Sequence, residues 1–281
     1  MRRKSHVNPL SVILLHIVVI SGALITVTPL LWMVYSSFKS TSEIFRYPPW
    51  LPPETWSLAN YASLLDGWYF EDWYLNSVLY SGAQTLLTLF FCSLAGFAFA
   101  KYTFRGKNIL FALLVSSTLI PFQLILIPLF IQMSQIGWVN TPYAMVVPWV
   151  APAFGIFLMR QFALSIPTEL LEAARLDGAG EFRSYLQIAL PILRPGLAAL
   201  GIYTFLSAWN SYLWPLMVLR GETSMTLTVG VAGMEAQAAG SATPFGEIMA
   251  AATLMSIPVI AVFVFVQRYF IAGLTAGAVK A

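Results

Sequence analysis

Residues 165–196 read SIPTELLEAARLDGAGEFRSYLQIALPILRPG, a polar and amphipathic stretch between two long apolar runs, and that contrast decides how the whole chain is organised. Pro167 stands where a first helical turn begins, a position that needs no N–H donor, and Glu169 and Glu172 suit the positive amino-terminal end of a helix. The first helix is expected to run to about Leu176. Asp177-Gly178 then supplies a turn, because Gly accepts a positive φ and Asp can bond nearby backbone. A second helix is expected from Ala179 or Gly180 to Ala189, closed by Pro191, which disfavours helix at Leu190. Ala173, Ala174, Gly178, Ala179 and Gly180 carry little bulk, so another protein's backbone can approach this helix-turn-helix knob closely.

Working outward, the flanking runs are membrane-sized. A helix crossing about 30 Å of hydrocarbon needs about 20 mostly apolar residues. Six segments qualify or nearly do, near residues 11–35, 74–100, 108–131, 142–159, 196–219 and 248–267, and none contains Asp, Glu, Lys or Arg. With 58% hydrophobic and 10% charged residues and a mean hydropathy of +0.75, the 281-residue chain has too little charge to cover a water-soluble core. The expected class is an all-α polytopic membrane protein with one transmembrane domain over 1–281. The first run follows Arg2, Arg3 and Lys4 but is too long for a signal peptide and lacks a small-residue cleavage site, so it reads as a retained helix. Proline recurs in the spans, at Pro29, Pro121, Pro128, Pro148, Pro152, Pro215 and Pro258. Both a bent bundle around a polar route and a merely irregular bundle fit that pattern.

Charge sets the orientation. With the amino terminus in the cytoplasm, twelve basic residues fall inside (Arg2, Arg3, Lys4, Lys101, Arg105, Lys107, Arg160, Arg175, Arg183, Arg194, Arg268, Lys280) and three outside (Lys39, Arg46, Arg220). The positive-inside rule then makes both termini and the knob cytoplasmic. The outer segment from Lys39 to Trp73 carries Trp50, Trp56, Trp68 and Trp73, which suit either anchoring at the headgroups or contact with an external partner. The second outer segment, Arg220 to Glu247, holds Gly230, Gly233, Gly240 and Gly246 and reads as a pliable binding loop.

Several chemistries lack their residues. Cys92 lies in an apolar run, His6 and His16 have no carboxylates nearby, and no metal site or disulfide framework is expected. The dispersed basic residues make no stripe for nucleic acid. The only Gly-Lys pair, Gly106-Lys107, is followed by Asn108 and lacks the first glycine of a phosphate-cradling loop, so this chain does not bind ATP by that device. No span carries an acidic residue for a proton relay. Glu172 and Asp177 sit in an aqueous loop without a desolvated pocket, so no catalytic residue is expected and the chain does not read as an enzyme. Energy must come from a partner; a stand-alone ion-coupled carrier or channel is the alternative, motivated by the Pro-interrupted spans.

The knob resembles the EAA loop of binding-protein-dependent ABC importer permeases, through Glu172, Ala173, Ala174, Asp177, Gly178 and Ala179, then Ile188, Leu190 and Pro191 at the expected separation. Ser207-Ala208-Trp209-Asn210 with Tyr212, Trp214, Pro215 and Leu216 is similar to the fifth-helix pattern of carbohydrate permeases. Gln267-Arg268-Tyr269-Phe270 and Gly273-Leu274-Thr275-Ala276-Gly277-Ala278-Val279-Lys280 resemble the end of the MalG-like branch, whose members import sugars and related polyhydroxy compounds; Ala281 replaces its usual final Gly. The resemblance implies a type I ABC importer permease fold with six transmembrane helices in the bacterial inner membrane. It implies a MalF-like second permease, two ATPase subunits that bind ATP and Mg2+, and an extracytoplasmic solute-binding protein. It also implies that loop 165–195 docks in the ATPase, and that the tail residues Gly273, Leu274, Thr275 and Gly277 reach the same subunits. Trp209, Asn210 and Tyr212 are candidates for the solute path, since amides beside aromatic faces suit sugar hydroxyls and rings, although such groups also bond helix to helix.

Overall fold

The computed structural model describes the backbone of residues 9–48, 50–237 and 243–278, and the side chains of residues 10–48, 50–236 and 243–265. Every regular element among the described residues is helical. The chain falls into two compact units, Met1–Trp68 with Gly233–Ser256, and Tyr69–Ala232 with Ile257–Ala281.

Among the described residues, three helices are long and apolar enough to cross a membrane, Leu10–Ser36, Phe70–Lys101 and Phe245–Phe265; three bent helix pairs raise the number to as many as six. The first lies in α1 (Pro9–Ser36), the second is α4 (Phe70–Lys101), and the third opens α15 (Phe245–Ala278). Between α1 and α4 come the short α2 (Thr41–Ile44) and α3 (Ala59–Gly67).

The bent pairs show where the Pro-containing spans break. The run expected over 108–131 is α5 (Lys107–Ser117) and α6 (Phe122–Gln135), meeting at 100°. Pro121 withholds a donor and disfavours helix at Ile120, so the chain turns there. The run over 142–159 is α7 (Pro142–Val146) with a 3-10 turn, Val147–Trp149, then α8 (Ala153–Leu164), which extends past 159. Pro152 caps α8, and the two parts meet at 43°. The run over 196–219 is also interrupted: α12 (Arg194–Trp209) ends, Asn210, Ser211 and Tyr212 intervene, and α13 (Leu213–Val218) follows.

The hairpin keeps its expected first arm, α9 (Thr168–Leu176), and its turn, where Gly178 adopts φ +80°. Its second arm does not close at Pro191. Helix α10 (Glu181–Ser184) passes into a π-helical turn, Tyr185–Ala189, then α11 (Leu190–Ile192), and bends 79° into α12. Pro191 falls in the first turn of α11, where a missing donor costs nothing, and the wider π turn before it absorbs the register change.

In the second unit, α4, α8 and α12 pack at close range because a glycine on each meets a neighbouring helix. A Cβ on Gly96 would stand 2.6 Å from the Arg160 nitrogen and 2.7 Å from the Met159 Cβ; one on Gly155 would stand 2.7 Å from the Cys92 sulfur; one on Gly196 would strike the Phe162 ring. The burial joins Cys92, Phe97, Ile156, Met159, Ala163 and Leu200 in one core.

The segment expected to be a pliable outer loop is largely ordered. It contains α14 (Leu227–Gln237), and Gly230 is a packing residue, since a Cβ there would lie 2.2 Å from the Trp73 ring. Trp73 Nε1 donates to the Glu222 carbonyl, Asn76 Nδ2 to the Thr223 and Met225 carbonyls, and the Leu227 N–H donates to Ser77 Oγ. In the first unit, Ser63 Oγ and Trp68 Nε1 both donate to the Glu247 carboxylate, at 2.7 Å each. Gly240 lies outside the described residues.

Candidate functional site

The hairpin over 165–195 has two faces with different surroundings. Inward, Ile166, Leu171, Tyr185, Ala189 and Leu193 are buried in the same core as Cys92, Phe97 and Met159. At about 1.5–3 kcal/mol for each large side chain buried, this face is held firmly. Outward, Glu172, Ala173, Asp177 and Gly178 are exposed, and Leu176 at the tip is 90% exposed. Phe182 stands 56% exposed beyond it. Ala174 is buried, and Ala179, Ile188 and Leu190 are half-buried. Pro191 is exposed.

The tip's geometry follows from its sequence. The Asp177, Gly178 and Ala179 N–H groups donate to the Ala173, Arg175 and Ala174 carbonyls, satisfying acceptors that a helix end leaves open. The positive φ at Gly178 permits this closure, and among the described residues, its chain neighbours aside, no heavy atom lies within 4 Å of where its Cβ would be. The knob therefore presents small residues beside Leu176 and Phe182, without bulk behind the turn.

Three fastenings tie the hairpin to α4 and α8. The Tyr185 and Ser93 hydroxyls lie 2.6 Å apart. Tyr102 Oη donates to Glu181 Oε2, while Arg175 Nε and one terminal nitrogen donate to the two Glu181 oxygens at 2.9 and 3.2 Å. Arg175 holds the Glu181 carboxyl below its usual range. Burial, then the Glu181 carboxylate, push the Tyr102 phenol up to about 12. Lys101 Nζ donates to the Ile166 carbonyl and reaches that of Leu164 at 3.5 Å, capping the chain as it leaves α8. Phe97 packs between Tyr102 and Tyr185, with ring centroids 5.7 and 5.6 Å away. Lys101, Tyr102 and Ser93 were not singled out as coupling residues by sequence. A Lys-Tyr pair at the end of an apolar helix was a signal for the first two, whereas Ser93 meets Tyr185 only through tertiary packing.

The three candidates for the solute path have three different settings. Trp209 is buried, edge-on to Tyr74 at 5.9 Å and stacked on Phe205 at 5.6 Å. Asn210 is exposed, and its Nδ2 donates to the Leu206 carbonyl of its own helix end. Tyr212 is 41% exposed and is the cap residue just before α13. The tail residues Gly273, Leu274, Thr275 and Gly277 lie on the α15 backbone, but their side chains are outside the described residues. Among the described residues, no group of three or more His, Cys, Asp or Glu is placed to hold a metal ion.

Against known proteins, residues 93–275 match the family model "Binding-protein-dependent transport system inner membrane component". The arabinooligosaccharides transport system permease protein AraQ of Halalkalibacterium halodurans is 39% identical over 265 residues, covering 92% of each chain. The protein of the same name from Bacillus subtilis is 34% identical over 266 residues, again covering 92% of each chain. In fold, the chain is similar to a chain of a bacterial ABC transporter involved in import of the acidic polysaccharide alginate, with a TM-score of 0.83, 24% identity, and 96% of this chain and 100% of that one covered.

Proposed function

Since this chain belongs to the binding-protein-dependent transport system inner membrane components, as a multi-pass, non-catalytic permease, we propose that it moves a sugar or related polyhydroxy solute inward as one half of an importer's membrane channel. We place it in the MalG-like branch of carbohydrate permeases. Its partners in this reading are a MalF-like second permease, two ATPase subunits carrying ATP and Mg2+, and an extracytoplasmic binding protein. Both termini and the hairpin face the cytoplasm.

In this reading the knob docks in the ATPase. Glu172, Ala173, Ala174, Asp177, Gly178 and Ala179 form the seat's contact and turn, and Ile188, Leu190 and Pro191 carry its motion into α12. Gly273, Leu274, Thr275 and Gly277 reach the same ATPases. The observation that carries the proposal is the two-faced hairpin: an exposed tip at Leu176 and Gly178, and an inner face at Leu171, Tyr185 and Ala189 that shares a core with the membrane helices. A force applied at the tip is passed to α4, α8 and α12 because packed cores move as bodies. The names of the AraQ relatives support a saccharide as the solute. Trp209, Asn210 and Tyr212 remain the proposed lining of its path.

The interrupted helices would also suit a carrier that works alone. Gentle detergent purification with identification of co-purifying subunits, followed by reconstitution in vesicles, separates the two readings. ATP-dependent uptake of L-arabinotriose, lactose or maltotriose that needs the co-purified ATPase is the expected result. Solute flux through vesicles holding this chain alone would overturn it.

A further inference from the structure

Three of the chain's helix interruptions border one space. A cavity of about 200 Å³ is lined by Gln84, Phe122, Trp149, Ser207, Ser211 and Trp214, together with Ala208. Phe122 opens α6 just after the break at Pro121, Trp149 ends its 3-10 turn just before the break at Pro152, and Ser211 lies in the break between α12 and α13. Gln84 enters from near the middle of α4. Irregular backbone at membrane depth is tolerated where neighbours satisfy it or where it lines a route. Here neighbours satisfy it: Thr88 Oγ1 donates to the Trp149 carbonyl at 3.1 Å and Thr228 Oγ1 to the Ser211 carbonyl at 2.6 Å.

The cavity's aromatic wall is fixed. Trp214 is buried with its Nε1 donating to the Ala144 carbonyl at 2.9 Å, and it meets Trp149 edge-on at 6.0 Å and Phe122 at 6.3 Å. Phe122 and Trp149 are themselves edge-on at 5.1 Å. The polar side is free to bind: the Gln84 amide and the Ser207 and Ser211 hydroxyls have no side-chain hydrogen-bond partner among the described residues. An amide and two hydroxyls each offer donors and acceptors, matching hydroxyl groups of either polarity. Among the described residues no ionised side chain lines the space, so none of them compensates a charged ligand there. Its volume is the share of about seven liquid waters at roughly 30 Å³ each, the scale of one sugar ring.

We infer that this cavity is a solute subsite in this chain, taking one ring of a neutral saccharide, with the ring's apolar face on the Trp149 wall and its hydroxyls on Gln84, Ser207 and Ser211. The subsite rests on the transport reading above and goes beyond it, because it makes this subunit a contributor to selectivity and adds polar contacts at Gln84, Ser207 and Ser211 to the proposed lining.

The test uses the complete transporter with its co-purified partners, reconstituted with its binding protein, and compares uptake of L-arabinotriose, lactose and maltotriose. For Gln84→Leu, the expected result is at least a tenfold fall in uptake of the preferred sugar and an altered ratio among the three. Ser207→Ala and Ser211→Ala, which change little volume, are expected to alter the same ratio by at least threefold. Co-purification with the partner subunits reports assembly for each variant. An unchanged ratio in both serine variants overturns the subsite, as does an equal fall for all three sugars. ATP-dependent uptake of none of the three by the unmodified transporter would fail the underlying reading instead.

Discussion

The Tyr185 hydroxyl on the hairpin and the Ser93 hydroxyl on α4 lie 2.6 Å apart in a buried contact, so the proposed docking element is hydrogen-bonded directly to a membrane helix. Ser93 Oγ also donates to the Leu89 carbonyl of its own helix, which fixes its orientation.

Removing that bond tests the fastening. Tyr185→Phe should cost about 0.5–1.5 kcal/mol, the net worth of one hydrogen bond, and Tyr185→Ala about 3–5 kcal/mol, because a cavity is left in the core. Thermal unfolding of Tyr185→Phe, Ser93→Ala and the double variant should give a coupling energy of about 1 kcal/mol. Strict additivity of the two single changes would contradict the contact.

Two glycines should answer to different physics. Gly96→Ala forces a Cβ to 2.6 Å from the Arg160 backbone nitrogen, so α4 and α8 must separate, at about 1–3 kcal/mol or more. Its expected readout is a lowered Tm of the detergent-solubilised protein. Gly178→Ala meets no atom but must hold φ +80°, at about 1–2 kcal/mol of local strain. Its readout is faster amide exchange confined to residues 177–179, and equal Tm losses for the two variants would argue against this assignment.

The clasp at the knob's base depends on one carboxylate. Glu181→Gln removes the anion that Arg175 and Tyr102 share, so proteolysis near the tip should quicken while α4, α8 and α12 stay intact. Because Arg175 depresses the Glu181 pKa, the clasp is fully made above the ordinary carboxylate range and weakens as pH falls through the depressed value. Unchanged cleavage in the variant would show that the clasp does not order the tip.

A second carboxylate orders the segment between α1 and α3. The Glu54 N–H, the Ser40 N–H and the Ser40 hydroxyl all donate to Glu43, and chiefly the Glu54 amide brings its pKa down from 4.5 to about 2. That stabilisation is present above pH 4.5 and lost as pH falls toward about 2. Protection of the Glu54 amide from exchange, corrected for intrinsic rate, should fall across that window. In Glu43→Gln it should already be low at neutral pH and nearly independent of pH.

What the sequence made legible was what local rules govern. Charge-free runs marked the apolar helices, and Pro167, Asp177 and Gly178 marked one arm and the turn of the hairpin, because capping and turn chemistry act over a few residues. The interruptions were harder to read. Pro121 and Pro152 were visible, but whether a proline bends a helix or ends it depends on which neighbour satisfies the freed carbonyl, as Thr88 does for Trp149. The π turn at Tyr185–Ala189 carries no sequence signal, and it let the chain continue past Pro191. Gly230 read as part of a pliable loop because a glycine that frees the backbone and one that admits Trp73 are the same letter. For the solute path, the aromatic motif drew attention to Trp209 and Asn210, whereas Gln84 and Ser211 come together only in three dimensions.

Coupling through the tip is tested most directly by the accessibility of a thiol at position 177. Asp177→Cys in the assembled transporter, with the native Cys92 fully buried, is treated with a membrane-impermeant thiol reagent in vesicles of both orientations. The expected result is no labelling in right-side-out vesicles, labelling in inside-out vesicles stripped of ATPase, and protection once the ATPase is restored. Labelling of position 177 from the outer face would contradict a cytoplasmic docking hairpin, and labelling indifferent to the ATPase would contradict its seat.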